Sequence, residues 1–388
     1  MGISKEEISL LEQTARRLGA QVEASGVEED PERAMAFFER AWELGMAADP
    51  DPAAPGFMTG VWGRAAVEES LRPSLRVLSI LGEFSAGFAA MVHAQGLACL
   101  ALGGAPVFPI RTRLAVGWLS DYGIPIGEGG RSAGAGIRLR NSSGVLRLEG
   151  TVRFLIASGP PQGYVLFAGL DDRSGEGGWA LILLDATTTG VRIELLPERL
   201  GLRSLWMAHL YGEAVHLAPD RILLRGPEAD QRLRQVLAID YLGQAAMALG
   251  IARRSLREAY AYARQRYQGG RWIIDHPAVR LLLGTAAFDC AALEAVLERH
   301  ADVPLKAVGD AALLRWAAAA KLAIGEHAYR AVTNSMQVLG GYGYMEDYPL
   351  ARRLRDVATL RTLHGAPDLI RMVLAGLEKE KGIGGSGG

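Results

Sequence analysis

Apolar residues recur at helical spacing from the first turns of the chain. Ile8, Leu11, Ala15 and Leu18 fall on one stripe and predict a helix over 4–24. Pro31, Glu32 and Arg33 open a second predicted helix that runs to about Leu44, with Gly45 as its stop. Residues 64–81 and 83–102 keep the same period in Ala- and Leu-rich sequence, punctuated by Gly82 and by Gly103 and Gly104. After about Arg111 the texture changes: glycines become frequent, and short apolar runs are bounded by turns. Strands are predicted at 113–119, 135–140, 145–157, 163–168, 178–184, 191–195 and 213–217, in the manner of a small β-barrel or sandwich. NSSG at 141–144 and DDRSG at 171–175 are turn-rich breaks between them. A third texture begins near Gly226, with helices expected over 228–267, 277–300, 306–335 and 349–377, long enough for an antiparallel bundle.

The predicted class is therefore α+β. A helical domain spans 1–111, a central β-barrel domain 112–223, a four-helix bundle 224–381 and a flexible Gly-rich tail 382–388. Composition adds little to this. Hydrophobic residues at 49% and charged residues at 22% are ordinary for a soluble globular enzyme. A net charge of -1 provides no global field for nucleic acid or anionic membrane. No run of 18 apolar residues appears, so no membrane span is expected. The N-terminal turns are charged and unlike a signal peptide, and the two cysteines, Cys99 and Cys290, neither staple a large chain nor space like metal ligands. The expectation is a reducing, cytoplasmic setting.

Familiar catalytic motifs are missing. The seven histidines include no HExxH or comparable spacing, so no metal site is expected. There is no GxSxG elbow, Walker loop or Rossmann fingerprint. Arg352, Arg353, Arg355 and Arg361 at helical spacing read as a solvated or inter-subunit face.

Three stretches carry a resemblance. QVLGGYGY at 337–344 followed by YPLARRLRD at 348–356 resembles the QxLGGxGY and YPxxRxxRD signature of the acyl-CoA dehydrogenase family. YARQRYQGG at 262–270 resembles the YxxxRxxFG stretch of that family's long bundle helix, and LGLRS at 200–204 with EAVHLAP at 213–219 resembles the exit from its β domain. The resemblance implies an acyl-CoA dehydrogenase-like fold and an FAD-dependent oxidoreductase that dehydrogenates an acyl-CoA thioester between Cα and Cβ. It also implies assembly into dimers or tetramers, with itself or with a homologous subunit, and an electron-transfer flavoprotein as electron acceptor. Arg266 matches the family's diphosphate-binding arginine, and a guanidinium fork suits phosphate oxygens. Gln337, Gly340 and Gly341 match the loop that reaches the FAD diphosphate of a neighbouring subunit. Ser120, Phe154 and Ile156 match flavin-contacting positions of the β domain.

The departures are as informative as the matches. The family's catalytic glutamate position holds His364 in TLHGAPDLIR at 362–371. Some members carry the base on the long helix, at a position matched here by Asp240, the only charged residue between Val236 and Ile251. Apolar surroundings predict a raised carboxyl pKa, as a general base requires, and Gly243 one turn on leaves room for something to approach. The bland reading is a buried aspartate bonded to Gln244, to Tyr241 or to another helix. Phe154 replaces the tryptophan beside the flavin, Ile156 a hydroxyl residue near N5, Gly269 a phenylalanine and Pro277 a glutamine. Two functions follow. One is a dehydrogenase for a cyclic, branched or dicarboxylic acyl-CoA, with Asp240 or His364 as relocated base. The other is a catalytically degenerate subunit that completes the FAD site of a partner. A flavin-free thioester-binding protein is a third.

Overall fold

Asp30 sets the second helix: its carboxylate accepts from the amides of Glu32 at 3.0 Å and Arg33 at 3.1 Å, and Pro31 follows in the first turn. The computed structural model describes residues 5–27, 30–50, 70–103, 112–118, 135–142, 144–171, 178–299, 301–302, 304–305 and 310–380. Their first helices are α1 (Lys5–Ala24), α2 (Pro31–Glu43), α3 (Arg72–Phe84) and α4 (Ala86–Leu102). Ser85 divides α3 from α4 and caps α4, accepting from the Phe88 amide. Every residue of α4 is buried, which suits a helix that is apolar on all sides.

Eight strands form one sheet: β1 (Leu114–Gly117), β2 (Ile137–Ser142), β3 (Val145–Ala157), β4 (Gly163–Asp171), β5 (Trp179–Asp185), β6 (Val191–Leu195), β7 (Trp206–Leu217) and β8 (Ile222–Arg225). The order is β6-β7-β3-β1-β4-β5-β8, with β2 paired to both β3 and β4. Strand β4 reads as a continuous apolar run because both its faces are covered. Val165 and Phe167 join the large helical core, while Tyr164, Leu166 and Ala168 fill a separate core inside the sheet. Strand β7 begins at Trp206, earlier than the 213 expected, and β8 was not expected at all. Two bulges interrupt the β3–β7 register, and Phe154 sits in the second with φ at 50°.

The C-terminal helices are α5 (Pro227–Gln265), α6 (Pro277–Glu298), α7 (Asp310–Ala323), α8 (Tyr329–Leu339), α9 (Gly341–Tyr344), α10 (Leu350–Thr362) and α11 (Pro367–Glu380). A two-residue ribbon, β9 (Tyr267–Gln268) with β10 (Arg271–Trp272), turns back after α5. Helix α5 is long and apolar enough to cross a membrane, but 94% of its apolar window is buried inside the protein, so it is the axis of the core. Helices α3 and α5 touch almost backbone to backbone: a Cβ on Gly250 would lie 2.0 Å from the Ser79 carbonyl. The single helix expected over 306–335 is two, joined by a π turn at Ile324–Ala328. Beyond that turn Arg330 grips the buried Asp289 of α6 through Nε at 2.8 Å, and His327 Nδ1 lies 2.9 Å from the same carboxylate.

The basic stretch on α10 is corrected in part. Arg353 is not a solvated residue: it is buried and makes a bidentate pair with Glu258 of α5, at 2.6 and 3.0 Å. Glu23 of α1, 3.6 Å away, adds a second carboxylate, and the two acids together offset the buried charge.

Candidate active site

Asp240 lies at the middle of α5 with no exposed surface. Three side chains converge on its carboxylate. His364 Nδ1 is 2.7 Å from Oδ2, Gln244 Nε2 donates to Oδ2 at 2.8 Å, and His93 Nε2 is 3.1 Å from Oδ1. His93 comes from α4, which carries it to α5 at the level of Gly243. A Cβ on Gly243 would lie 2.2 Å from the His93 ring, so the glycine supplies the ring's space. The room that the sequence left beside Gly243 is thus filled by a histidine of this chain.

The raised pKa expected for Asp240 is corrected. Burial does push it upward, but the charge and hydrogen bond of His364, followed by those of His93, outweigh burial and hold it well below the usual carboxylate range. A carboxylate so held is a poor proton acceptor and a good orienting anion. The two sequence candidates, Asp240 and His364, are therefore a single unit, with the imidazole as the outer member.

His364 follows α10 with φ at 56°, a left-handed conformation uncommon outside glycine but one that histidine adopts more readily than most residues. Its carbonyl accepts from the Tyr241 hydroxyl at 3.3 Å, and its ring meets Trp118 at a centroid distance of 4.8 Å. Burial, together with the neighbouring Asp240 charge, raises the Tyr241 phenol well above its ordinary value, so it serves as a donor. Lys321, buried on α7, holds the segment from below. Its ammonium donates to the carbonyls of Leu360 and Leu363, both at 2.6 Å, and to Gln244 Oε1. This caps the carboxyl end of α10 with a cation, where the helix dipole favours one. Burial pushes Lys321 down to about 7, with the Asp240 charge opposing. Neither His93 nor Lys321 was singled out in the sequence. The clue available was Gly243 itself, a small residue opposite an unassigned partner.

The last contact decides what the site can do. His364 Nε2 is 3.0 Å from the Phe154 carbonyl oxygen. The bulge at Phe154 turns this carbonyl inward. The phenyl ring is 43% exposed and packs edge-on against His209 at 5.1 Å, and the Phe154 amide donates to His209 Nδ1 at 3.3 Å. Ile156, two residues on, is buried in the helical core. Ser120 lies outside the described residues.

A flavin supplies hydride acceptance when bound, and its ring would need a face of β3 on one side and substrate on the other. At about 3.5–4.0 Å per contact, ring plus substrate require roughly 10 Å between Phe154 and a base. The sheet and the bundle are joined here by one hydrogen bond. The residues at this gap do not fit a stacked flavin and acyl group. One buried donor, Trp118 Nε1, has no acceptor among the described residues.

The bundle face is different. Arg266 is exposed, makes no ion pair among the described residues, and lies over the Tyr342 ring at 5.9 Å. Gln337 and Gly340 are exposed at the end of α8, Gly340 with φ at 59°, and no atom of the described residues lies within 4 Å of a Cβ placed on Gly340 or Gly341. Tyr262, Tyr342 and Tyr348 form a shelf with ring separations of 5.9 to 6.3 Å. Backbone, guanidinium and amide are all open to a ligand or another chain.

Comparison with known proteins agrees with this architecture. Residues 232–376 match the model of the acyl-CoA dehydrogenase C-terminal domain. A short-chain-specific acyl-CoA dehydrogenase of Megasphaera elsdenii is 27% identical over 247 residues, 62% of this chain and 62% of that protein. The chain thus spans about three fifths of that relative's length in the matched region. The solved butyryl-CoA dehydrogenase of Megasphaera elsdenii superimposes with a TM-score of 0.74 at 20% identity, covering 95% of this chain and 98% of that one. A nitroalkane oxidase solved with spermine superimposes at 0.82 and 16% identity, covering 97% and 96%. The family implies a flavin cofactor, typically FAD. Residues 232–376 thus match the acyl-CoA dehydrogenase C-terminal domain, and the chain as a whole has the acyl-CoA dehydrogenase fold.

Proposed function

We propose that this chain is the non-catalytic subunit of a hetero-oligomeric, flavin-dependent acyl-CoA dehydrogenase. It completes the FAD site of a homologous partner and forms none of its own. The observation that carries this reading is the 3.0 Å bond from His364 to the Phe154 carbonyl, which closes the gap where a flavin and an acyl thioester would stack. The open bundle face supports it: Arg266, Gln337, Gly340 and Gly341 are free to meet a diphosphate held by another chain. An electron-transfer flavoprotein would then take electrons from the partner's flavin. The test is flavin content by visible absorption, for the chain alone and after co-expression with an intact homologous dehydrogenase. Flavin absent alone, but present in a mixed complex at less than one per chain and lowered by Arg266→Ala, is the expected result. One flavin per chain in the lone protein overturns it.

A second reading has its own observation. Asp240 and His364 form a carboxylate–imidazole pair at 2.7 Å, the arrangement by which an acid orients a basic ring. On this reading the chain dehydrogenates a cyclic, branched or dicarboxylic acyl-CoA itself, with His364 as proton acceptor once the gap opens. Loss of turnover in His364→Ala in a flavin-loaded chain would establish it.

A further inference from the structure

We propose that His93, Asp240 and His364 form a proton-held latch that keeps the sheet closed on the bundle and lets go when His364 gives up one ring proton. The inference rests on the reading above that the gap is closed in this chain. Its first support is a count of donors. Both ring nitrogens of His364 face acceptors: the Asp240 carboxylate at 2.7 Å and the Phe154 carbonyl at 3.0 Å. An imidazole serves two acceptors only when both nitrogens carry hydrogen. The closed geometry therefore describes an imidazolium, balanced by the Asp240 anion.

Removal of one proton has a defined consequence. The hydrogen facing the carboxylate is the more strongly held, because its acceptor is charged. The Nε2 position is then a lone pair 3.0 Å from a carbonyl oxygen, and attraction becomes repulsion. Phe154 and His364 both stand at positive φ, so each has a more relaxed conformation available once the bond is gone. Lys321 works in the same direction. Its three acceptors, Leu360, Leu363 and Gln244, need all three ammonium hydrogens, and the first two carbonyls belong to the segment that carries His364.

The titratable groups facing this cluster, among the described residues, come from three helices. They are His93 on α4, Asp240 and Tyr241 on α5, and Lys321 on α7. Helix α10 supplies only main-chain carbonyls here. Trp118 after β1 and Phe154 on β3 bring no titratable side chain, and His209 bonds the Phe154 amide at the outer face.

The test uses the full chain without flavin, labelled with 15N in its histidines. The His364 signals are assigned by their loss in His364→Gln. Both His364 nitrogens should report as protonated at pH 6, and one should lose its proton as pH rises. Over the same range the part of the fluorescence that Trp118→Phe removes should increase, because the ring packed at a tilt against Trp118 loses its charge and moves. His364→Gln should abolish that change. A neutral His364 at pH 6 overturns the proposal, as does a Trp118-dependent change that persists undiminished in His364→Gln. The titration needs no flavin, so it stands or falls separately from flavin content, which tests the subunit reading.

Discussion

Replacing Asp240 by asparagine keeps the shape of the cluster and removes its only anion. The carboxylate accepts from His364, Gln244 and His93. An asparagine has one acceptor oxygen and presents an NH2 group where the other oxygen stood, so at least one donor meets a donor. The lost attraction is large. Unit charges about 4 Å apart interact by about 4 kcal/mol at an effective dielectric of about 20. Breaking one side of a buried pair costs about 3–5 kcal/mol in comparable cases. Asp240→Asn should therefore destabilise the protein by about 3–5 kcal/mol at pH 7. The sign with pH follows from its depressed pKa: the stabilisation is complete above the unfolded value of about 3.9 and is lost as pH falls toward the folded one. Urea unfolding of both proteins, followed by tryptophan fluorescence, should show the gap at pH 7 narrowing when both are measured below pH 4. A difference under about 0.5 kcal/mol at pH 7, the size of an ordinary surface change, would refute the reasoning.

Gly243→Ala places a methyl 2.2 Å from the His93 ring and should cost about 1–3 kcal/mol, read as a lowered urea midpoint with unchanged m-value. Arg353→Met leaves the half-buried Glu258 still paired with Arg254, and a loss of about 1–3 kcal/mol is expected in the same assay. Arg266→Ala, on an exposed residue, should leave the lone chain's stability within about 0.5 kcal/mol of the parent in thermal melts.

The helix–sheet–helix order was legible because each segment keeps one period for long enough to be read. The continuous run of β4 gave its location, and being buried on both faces explains why it shows no alternation. The start of β7 was missed because Trp206 to Tyr211 mixes half-buried and buried residues without a clean period. Arg353 was read as solvated because its partner, Glu258, lies 95 residues away on another helix. The site shows the same limit. Asp240 and His364 were each visible, one as a charge in an apolar helix and one as a motif departure, but their bond spans 124 residues. The sign of the Asp240 shift depends on His93 and His364 standing beside it, which no local pattern reports. The closure at Phe154 depends on a bulge that rotates one carbonyl, and a bulge leaves no mark in hydrophobic periodicity.

The π turn at Ile324–Ala328 has a consequence for the phase of the rod that contains it. Lys321 and Arg330 stand nine residues apart, which an uninterrupted α-helix would set about 180° apart around the axis. Holding one extra residue in the π turn reduces the effective separation to eight, or roughly 80°. That quarter-turn lets one rod reach two buried acids on neighbouring helices, the Asp240 cluster through Lys321 and Asp289 through Arg330. Removing Gly325 alone would turn the bulge into plain α-helix and leave both ends in phase. Removing or adding any further residue would swing one cation away from its partner, so the count between Lys321 and Arg330 has a single spare member.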